Sequence, residues 1–258
     1  MLTDTQRDSW SRDGFLLMPG FLAAAATEAL DGWVAEIASW PPQDDRWMHH
    51  YEQIGDQPRL ARSEFLIAFH DGIRRLLTEG AVPETAAALL GEPVVLYKEK
   101  INYKYPGGGG YAAHQDAPAY AHADRHITCS IAVDAANAAN GCLAFAPGLH
   151  TRGRIATDDQ GCIAPAVAED LPWVDMPMHA GDALFFGSYA PHRSTSNRTA
   201  APRRSLYLTY NAAADGDHRE TYYREKRRAL AHRGSEERGS AKLSTIGHFL
   251  GKAVKDRG

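Results

Sequence analysis

The spacing of hydrophobic residues along the chain changes its period near Gly91. Before that point, apolar side chains recur every three or four positions and predict amphipathic helices over residues 23–39, 63–79 and 83–90, after a buried strand at 14–18. Beyond it, short apolar or alternating segments bounded by glycine and proline predict a succession of strands. The pattern therefore divides the chain into a helical first part and a β-rich second part.

The most regular of the strand segments, residues 94–104, places two different sets of side chains on the two faces of a strand. The mostly apolar face carries Tyr97, Glu99, Ile101 and Tyr103. The polar face carries Lys98, Lys100, Asn102 and Lys104. Further strands are predicted over residues 127–133, 141–145, 173–178, 183–186 and 206–210, and a charged helix is predicted over residues 217–231.

Helices followed by many short strands are typical of a β core with helices packed on its outside. We therefore predict an α+β fold that is mainly β, with a jelly-roll, cupin-like core and flanking helices. A single domain accounts for all 258 residues. Its helical N-terminal part is expected at about 1–92, the jelly-roll core at about 93–211, and a C-terminal helical part at about 212–258.

Composition and charge restrict the classes of partner. A net charge of −4 gives no general attraction to nucleic acid, and no apolar run approaches the roughly 20 residues that cross a bilayer. The three cysteines form no Cys-x-x-Cys pair, and the first residues lack the pattern of a secretory signal. We expect a cytoplasmic protein that acts on a small molecule, without a nucleic-acid or membrane partner. The sequence leaves the oligomeric state open.

Two histidines and an acid have the spacing of a metal site. His114 and Asp116 follow a turn of four glycines, and His192 lies 78 positions after His114. Residues two apart on an extended segment project to the same side, so both can reach one ion, and a distant strand can supply the third ligand. Two histidines with one carboxylate are the ligand set of non-haem iron(II). The His-x-Asp pattern alone is weak, since His122 and Asp124 repeat it, and we place this second copy in a loop.

Arg203, eleven positions after His192, adds a second element to the site. A guanidinium group near a ferrous site suits the far carboxylate of a dicarboxylic cosubstrate, because it donates two parallel hydrogen bonds. Ser194 offers a hydroxyl donor to the same carboxylate. On residue type alone, a solvated surface charge beside Arg204 would be the favoured interpretation of Arg203, so the surrounding motifs decide.

Together these motifs resemble the phytanoyl-CoA dioxygenase-like family of iron(II)/2-oxoglutarate oxygenases, from about residue 10 to residue 211. The matching segments are residues 13–21, His114-Gln115-Asp116, the Ala-Pro-Gly-Leu-His segment ending at His150, and His192 with Arg203. The resemblance implies a double-stranded β-helix. It also implies 2-oxoglutarate and O2 as cosubstrates, a hydroxylated product, and release of succinate and carbon dioxide.

The resemblance further implies a role for each residue of the site. The iron(II) ligands, and with them the catalytic centre, would be His114, Asp116 and His192. The 2-oxoglutarate site would comprise Arg203 and Ser194, with Asn102 and Gln115 at positions that contact or line it in some family members. The carboxylate of Asp116 favours hydroxylation over halogenation, since related halogenases keep that position small to admit chloride.

The substrate is predicted to be small and anionic. If the polar face of segment 94–104 lines the cavity, Lys98 and Lys100 offer ammonium groups to an anion, whereas on an edge strand they would simply face solvent. Segments 97–104 and 216–223 are similar to small-phosphonate hydroxylases, which points to an aminoalkylphosphonate. Two alternatives stay open: an oxygenase for a larger secondary metabolite or a CoA- or carrier-bound acyl group, and a cupin-like metal protein that is not an oxygenase. The basic segment 224–228 is expected on a solvated helix face.

Overall fold

The computed structural model describes residues 2–43, 45–120, 122–123, 125–158 and 161–233, together with two short strands near the C-terminus. The helices are α1 (Asp4–Asp13), α2 (Ala24–Ala38), α3 (Asp71–Thr78), α4 (Ala81–Leu90), α5 (Pro165–Glu169) and α6 (Arg219–Arg233). The first six strands are β1 (Phe15–Met18), β2 (Met48–Ile54), β3 (Gln57–Glu64), β4 (Val94–Lys104), β5 (Tyr111–His114) and β6 (His126–Ala132). The others are β7 (Leu143–Phe145), β8 (Val174–Met176), β9 (Ala183–Gly187), β10 (His192–Ser194), β11 (Arg203–Ala212), β12 (His248–Phe249) and β13 (Lys252–Ala253).

Strands β1 to β11 form two antiparallel sheets. The larger sheet has the order β1-β9-β6-β11-β4-β3-β2, and the smaller sheet has the order β5-β10-β7-β8. From β4 to β11, four strands belong to each sheet, and the chain crosses between the sheets as a jelly roll does. The predicted fold class is therefore confirmed.

The main hydrophobic core lies between the outer face of the larger sheet and helices α2 to α4. Fully buried side chains from the sheet include Ile101 of β4 and Leu206 and Leu208 of β11. Leu30 of α2 and Ile73 of α3 pack in the same cluster. The apolar side chains of each alternating strand point to this outer face. The polar side chains therefore point inward, toward the smaller sheet.

Strand pairing decides which side chains share that inner face. β4 spans the residues predicted for it and pairs with β11 over its whole length. Directly paired residues of an antiparallel ladder point to the same side. The register places Lys104 opposite Arg203 and Lys100 opposite Tyr207, so these four side chains share one face with Lys98.

The helix predicted over residues 63–79 is shorter than expected, because its beginning belongs to a strand. β2 and β3 form a hairpin at the edge of the larger sheet, and β3 continues to Glu64. Phe65 then adopts a left-handed backbone conformation, with φ of 63°. The Glu99 carboxylate accepts hydrogen bonds from the next two backbone N–H groups at 2.7 and 3.2 Å. Helix α3 begins only at Asp71, so the N-terminal part mixes helices and strands.

Candidate metal centre and substrate pocket

A pocket opens between the inner faces of the two sheets. It contains about 410 Å³ of empty space, part of it open to solvent. Six of the predicted site residues line it: Lys98, Lys100, Asn102, His114, Asp116 and His192. β4 and β11 provide the polar wall, and the ends of β5 and β10 provide the wall that faces it.

Side chains of His114, Asp116 and His192 converge within this pocket. One potential ligand atom from each residue lies within 4.8 Å of the other two. The distance between His114 Nε2 and Asp116 Oδ1 is 3.8 Å. Among the residues described above, no other group of three or more histidine, cysteine, aspartate or glutamate side chains is arranged in this way.

Strand pairing brings the two histidines together. His114 ends β5, His192 begins β10, and the two are direct partners in the ladder, with ring centroids 4.1 Å apart. Asp116 lies beyond the end of β5 in a helical backbone conformation that caps a short 3₁₀ turn. The turn therefore brings the Asp116 carboxylate back to the histidines. The sequence analysis had predicted that strand alternation would place it there.

Backbone carbonyl groups orient both rings. His114 Nδ1 lies 2.7 Å from the Ala112 carbonyl oxygen, and His192 Nδ1 lies 3.0 Å from that of Ala190. An N–H at each Nδ1 donates to its carbonyl, which leaves each Nε2 with a lone pair for a metal. Burial lowers the pKa of His114 to about 3 and also lowers the pKa of His192. Both rings are therefore neutral at physiological pH.

Asp116 is ionised over the same range. Burial would raise its pKa, but the charges of His192 and Lys98 outweigh burial and hold the pKa of Asp116 well below its usual range. Two neutral imidazoles and one carboxylate fit the donor set of non-haem iron(II).

Arg203 lies on the polar wall at the Lys104 end, buried and without an acidic partner among the described residues. It is 4% exposed. Its Nη1 donates a hydrogen bond of 2.8 Å to Ser205 Oγ, whereas its Nε has no acceptor. A buried guanidinium without a counter-anion is costly. This arrangement therefore fits a site for a carboxylate ligand.

Ser194 and Lys104 lie at the same end of the wall. Lys104 Nζ donates hydrogen bonds to Ser194 Oγ at 2.9 Å and to the Thr195 carbonyl oxygen at 2.6 Å. Ser194 accepts with its oxygen in this pair, so its own hydroxyl proton can be donated to another group. Lys104 shares the polar face of β4 with Lys98 and Lys100, and the structure places it beside Arg203 at the far end of that face.

Neighbouring arginines do not occupy the position of Arg203. Arg204 faces the other side of β11 and pairs with Asp134, with 2.6 Å between Nη2 and Oδ1. The guanidinium of Arg193 packs 4.4 Å from the centroid of the Trp173 ring. The interpretation of Arg203 as a solvated surface charge is excluded by its burial.

Lys98 and Lys100 are partly buried, and each ammonium group lies near an aromatic ring. Lys98 Nζ is 4.4 Å from the centroid of Tyr120, and Lys100 Nζ is 5.2 Å from that of Tyr207. Neither lysine pairs with a carboxylate in the part of the chain described here. Burial lowers the pKa of Lys98 to about 8, and burial together with the charge of Arg62 holds the pKa of Lys100 well below its usual range. A bound anion would favour the charged form of both.

Comparison of the chain with models of known protein families identifies its sequence family. The family model of phytanoyl-CoA dioxygenase (PhyH) matches residues 10–205. The chain belongs to the phytanoyl-CoA dioxygenase family. It is 58% identical over 254 residues to the methylphosphonate hydroxylase of Gimesia maris, with 98% of each chain covered. It is 36% identical over 229 residues to the 2-aminoethylphosphonate dioxygenase of an uncultured bacterium, with 87% of each covered. The predicted family and enzyme class are confirmed.

Solved structures of similar shape include EctD from S. alaskensis with 2-oxoglutarate and 5-hydroxyectoine. Its TM-score is 0.71 at 20% identity, over 83% of this chain and 77% of that chain. The epimerase SnoN in complex with Fe3+, alpha ketoglutarate and a nogalamycin compound has a TM-score of 0.70 at 24% identity, over 81% and 83%. At these identities the similarity shows the fold, in agreement with the jelly roll. No helix in the described residues has the length and apolar character to cross a membrane.

The side chain of Gln115, a predicted site residue, is held by backbone groups of two loops. Its side-chain nitrogen donates hydrogen bonds to the carbonyl oxygens of Gly153 and Tyr189 at 2.9 and 2.7 Å. Its side-chain oxygen accepts a hydrogen bond from the Ile155 N–H at 2.9 Å. Both amide protons are used by these loop carbonyls, and a contact of Gln115 with the cosubstrate stays a prediction. The residue joins two loops beside the metal-binding side chains.

Two charged residues of β3 border the pocket, although the sequence analysis did not assign them. Arg62 donates hydrogen bonds to two pocket-lining groups, Asn102 Oδ1 at 3.2 Å and the Tyr111 hydroxyl at 3.0 Å. Glu64 Oε1 accepts a hydrogen bond from Arg62 Nη1 at 3.2 Å, and Oε2 accepts one from Lys226 Nζ. No strand was predicted for these residues. The sequence pattern therefore did not indicate that Arg62 and Glu64 share the face that borders the pocket.

Lys226 lies in the basic segment expected on a solvated helix face, and its contact with Glu64 corrects that expectation. The inward-facing residues of α6 have helical spacing and are Arg219, Tyr222, Tyr223 and Lys226. The signal was present as an i, i+3, i+4, i+7 pattern, but two of its four members are charged.

His122 takes no part in the metal site, in line with its expected loop position. Its Nε2 lies 2.9 Å from Glu225 Oε2, and its ring stacks on His218 with centroids 5.4 Å apart. Asp124, the other half of the second His-x-Asp copy, lies outside the described residues.

Proposed function

We propose that this protein is an iron(II)/2-oxoglutarate-dependent hydroxylase that uses O2 to oxidise a C–H bond of a small alkylphosphonate, with methylphosphonate as the first candidate. The observation that carries the proposal is the pair Lys98 and Lys100, two ammonium groups without a carboxylate partner on the wall of a pocket that also holds His114, Asp116 and His192. The identity to the methylphosphonate and 2-aminoethylphosphonate enzymes supports the same substrate class.

In this proposal His114, Asp116 and His192 hold iron(II), and the remaining coordination positions stay available to 2-oxoglutarate and O2. When bound, iron(II) and 2-oxoglutarate supply the oxidising power that inserts one oxygen atom of O2 into a C–H bond, and 2-oxoglutarate leaves as succinate and carbon dioxide. Leu143 and Phe186 line the same pocket. Their apolar side chains would limit the water that reaches the target carbon.

The far carboxylate of 2-oxoglutarate is assigned to the end of the wall that carries Arg203. The unsatisfied Nε of Arg203 and the free proton of the Ser194 hydroxyl provide donors there. Lys104 adds a second positive charge at hydrogen-bond distance from Ser194. Asn102 lies between this end and the two pocket lysines, where it can contact the cosubstrate.

The phosphonate is assigned to Lys98 and Lys100. A strand rises about 3.3 Å per residue, so Lys100 lies roughly 13 Å from Lys104 along β4. One strand face can therefore bind two different anions, the cosubstrate at one end and the substrate at the other. A phosphonate offers three oxygen acceptors and up to two negative charges, which suits two ammonium groups that lack a carboxylate.

Coupled turnover tests this proposal. Purified protein with iron(II), 2-oxoglutarate, O2 and methylphosphonate should yield hydroxymethylphosphonate by phosphorus NMR, with one succinate released per product. Iron-dependent succinate release that no phosphonate stimulates would leave the oxygenase class intact and reject the substrate, and acyl-CoA compounds would be screened next. Absence of iron-dependent succinate release under every condition would favour the non-oxygenase cupin-like alternative.

We also propose that the enzyme is a single domain that works in the cytoplasm and has no nucleic-acid partner. Cys129, Cys142 and Cys162 are all buried and form no disulfide with one another, as expected for a reducing compartment. The net charge of −4 opposes binding to a polyanion. Cell fractionation and a nucleic-acid binding assay at low salt would test these two points.

A further inference from the structure

A lysine from the C-terminal helix reaches a buried acid beside the pocket. Lys226 of α6 contacts Glu64 of β3, although 162 positions separate them in sequence. Glu64 is 2% exposed, and the Lys226 side chain is 19% exposed. Burial would raise the pKa of Glu64, but the charges of Lys226, His50 and Arg62 outweigh it and hold the pKa well below its usual range. Glu64 is therefore ionised at physiological pH, and its charge opposes the burial that lowers the pKa of Lys226.

This ion pair adjoins the two lysines assigned to the phosphonate. Glu64 is the direct partner of Lys100 in the β3–β4 ladder, so their side chains share the inner face. The Tyr222 ring lies 5.8 Å from Lys98 Nζ on one side and 5.7 Å from Lys226 Nζ on the other. Adjacent strands are about 4.8 Å apart, so a phosphonate bound at Lys100 would have the Glu64 side chain as its neighbour on the next strand.

A carboxylate on the strand next to a phosphonate site is the group that would bind the ammonium of an aminoalkylphosphonate. In this chain the ammonium of Lys226 already contacts the Glu64 carboxylate. We propose that Lys226 is a specificity-determining residue: by pairing with Glu64 it occupies the carboxylate that would bind a substrate ammonium, and so directs the pocket to phosphonates with an uncharged carbon chain. This inference rests on the proposed function and refines it.

Lys226 is held in place by the rest of its helix. Arg219 donates hydrogen bonds to both Glu99 carboxylate oxygens, at 3.0 Å from Nε and 2.6 Å from Nη2. The Tyr223 hydroxyl donates to the Glu99 carbonyl oxygen at 2.7 Å. These contacts anchor the turn before Lys226 to the central strand, so the ammonium is positioned before any substrate arrives.

A substrate ammonium would meet excess positive charge at this wall. The cationic side chains near it are Arg62, Lys98, Lys100 and Lys226, and the nearby acids are Glu64 and Asp116. Asp116 is committed to the metal in the proposed function. An incoming ammonium would have to displace Lys226 from Glu64 and leave that lysine without a partner. Repulsion between the two ammonium groups therefore disfavours binding of an aminoalkylphosphonate.

The parent enzyme provides the first test. Propylphosphonate and 2-aminoethylphosphonate have the same length and differ by a methyl group in place of the ammonium. As competitors of methylphosphonate turnover, propylphosphonate should have an inhibition constant about tenfold lower, on the scale of one charge-assisted contact. Equal or tighter inhibition by 2-aminoethylphosphonate would overturn the inference. No turnover of methylphosphonate would instead overturn the proposed function, and the inference with it.

Substitution of the lysine provides the second test. Lys226→Met keeps an unbranched side chain and leaves Glu64 Oε2 without its lysine, while Oε1 keeps the hydrogen bond from Arg62. The ratio of kcat/KM for 2-aminoethylphosphonate to that for methylphosphonate should therefore rise at least about tenfold. The double variant Glu64→Gln/Lys226→Met should lose this gain, since the acid is gone. Arg224→Met removes a cation from the exposed side of the same helix and should keep the parent ratio. An unchanged ratio in folded Lys226→Met, or a gain that survives in the double variant, would refute the assignment.

Discussion

Arg203→Met removes the guanidinium group assigned to 2-oxoglutarate and keeps a long, flexible side chain in its place. In the absence of the cosubstrate Arg203 is 4% exposed, its Nε has no acceptor, and no described acid pairs with it. An unsatisfied buried polar group costs about 1–3 kcal/mol, whereas the hydrogen bond to Ser205 contributes about 1 kcal/mol. The free energy of unfolding of the ligand-free variant should therefore stay within about 1 kcal/mol of the parent value, or rise.

The affinity for 2-oxoglutarate, unlike the free energy of unfolding, should fall strongly in Arg203→Met. Loss of charge-assisted hydrogen bonds costs about 1.5–3 kcal/mol, which weakens affinity on the order of ten- to a hundredfold. At a concentration one hundred times the parent Kd, the cosubstrate stabilises the parent by about 2.7 kcal/mol. A Kd about thirty times weaker leaves only about 0.9 kcal/mol of that stabilisation at the same concentration.

Denaturant unfolding under nitrogen, with iron(II) and with or without 2-oxoglutarate, measures both quantities on one sample. Succinate release in air gives KM for 2-oxoglutarate, which should rise in parallel. Arg204→Met is the matched control, because it breaks the pair with Asp134. It should lower the free energy of unfolding and keep the full gain from 2-oxoglutarate. A loss of clearly more than about 1 kcal/mol in ligand-free Arg203→Met, or stabilisation by 2-oxoglutarate equal to that of the parent, would refute the assignment.

Three further predictions concern the metal and the substrate. His114→Ala should abolish binding of iron(II) or of a redox-inert substitute in calorimetry, and retained stoichiometric binding would reject the ligand set. Lys100→Met should raise KM for methylphosphonate about tenfold or more and leave substrate-independent succinate release in place; loss of both activities together would indicate a structural role. Because burial lowers the pKa of Lys98 to about 8 and only the protonated form attracts an anion, kcat/KM for methylphosphonate should fall as the pH rises through that value. Lys98→Arg stays charged and should reduce the fall to the part that Lys100 contributes, so an identical alkaline limb in that variant would contradict the assignment.

Long alternating strands were predictable from the sequence, and short polar ones were not. β4 has eleven residues with clear alternation, so both its bounds and its polar face follow from the pattern. β5 and β10 have four and three residues, too few to establish a period. Their existence depends on pairing with each other and with β7, which is a property of the whole fold.

Some residue roles were likewise predictable from the sequence, and others depended on the folded structure. The sequence motif placed His114, Asp116 and His192 in one group because their chemistry is specific. Lys226 could not be assigned in this way, since its contact with Glu64 spans 162 positions and depends on how α6 docks on the larger sheet. The loop hydrogen bonds of Gln115 were not predictable for a related reason: a polar residue beside a ligand can serve the pocket or the loops, and its partners depend on the folded chain.

The direct pairing of His114 with His192 has a consequence beyond catalysis. These residues are the contact point of β5 and β10, the first two strands of the smaller sheet. A metal held by both would act as a removable cross-link that closes a loop of 78 positions, in a protein whose three cysteines make no disulfide. Any metal that binds the folded chain more tightly than the unfolded chain adds to its free energy of unfolding. Iron shortage would therefore shorten the lifetime of this enzyme in the cell as well as reduce its turnover.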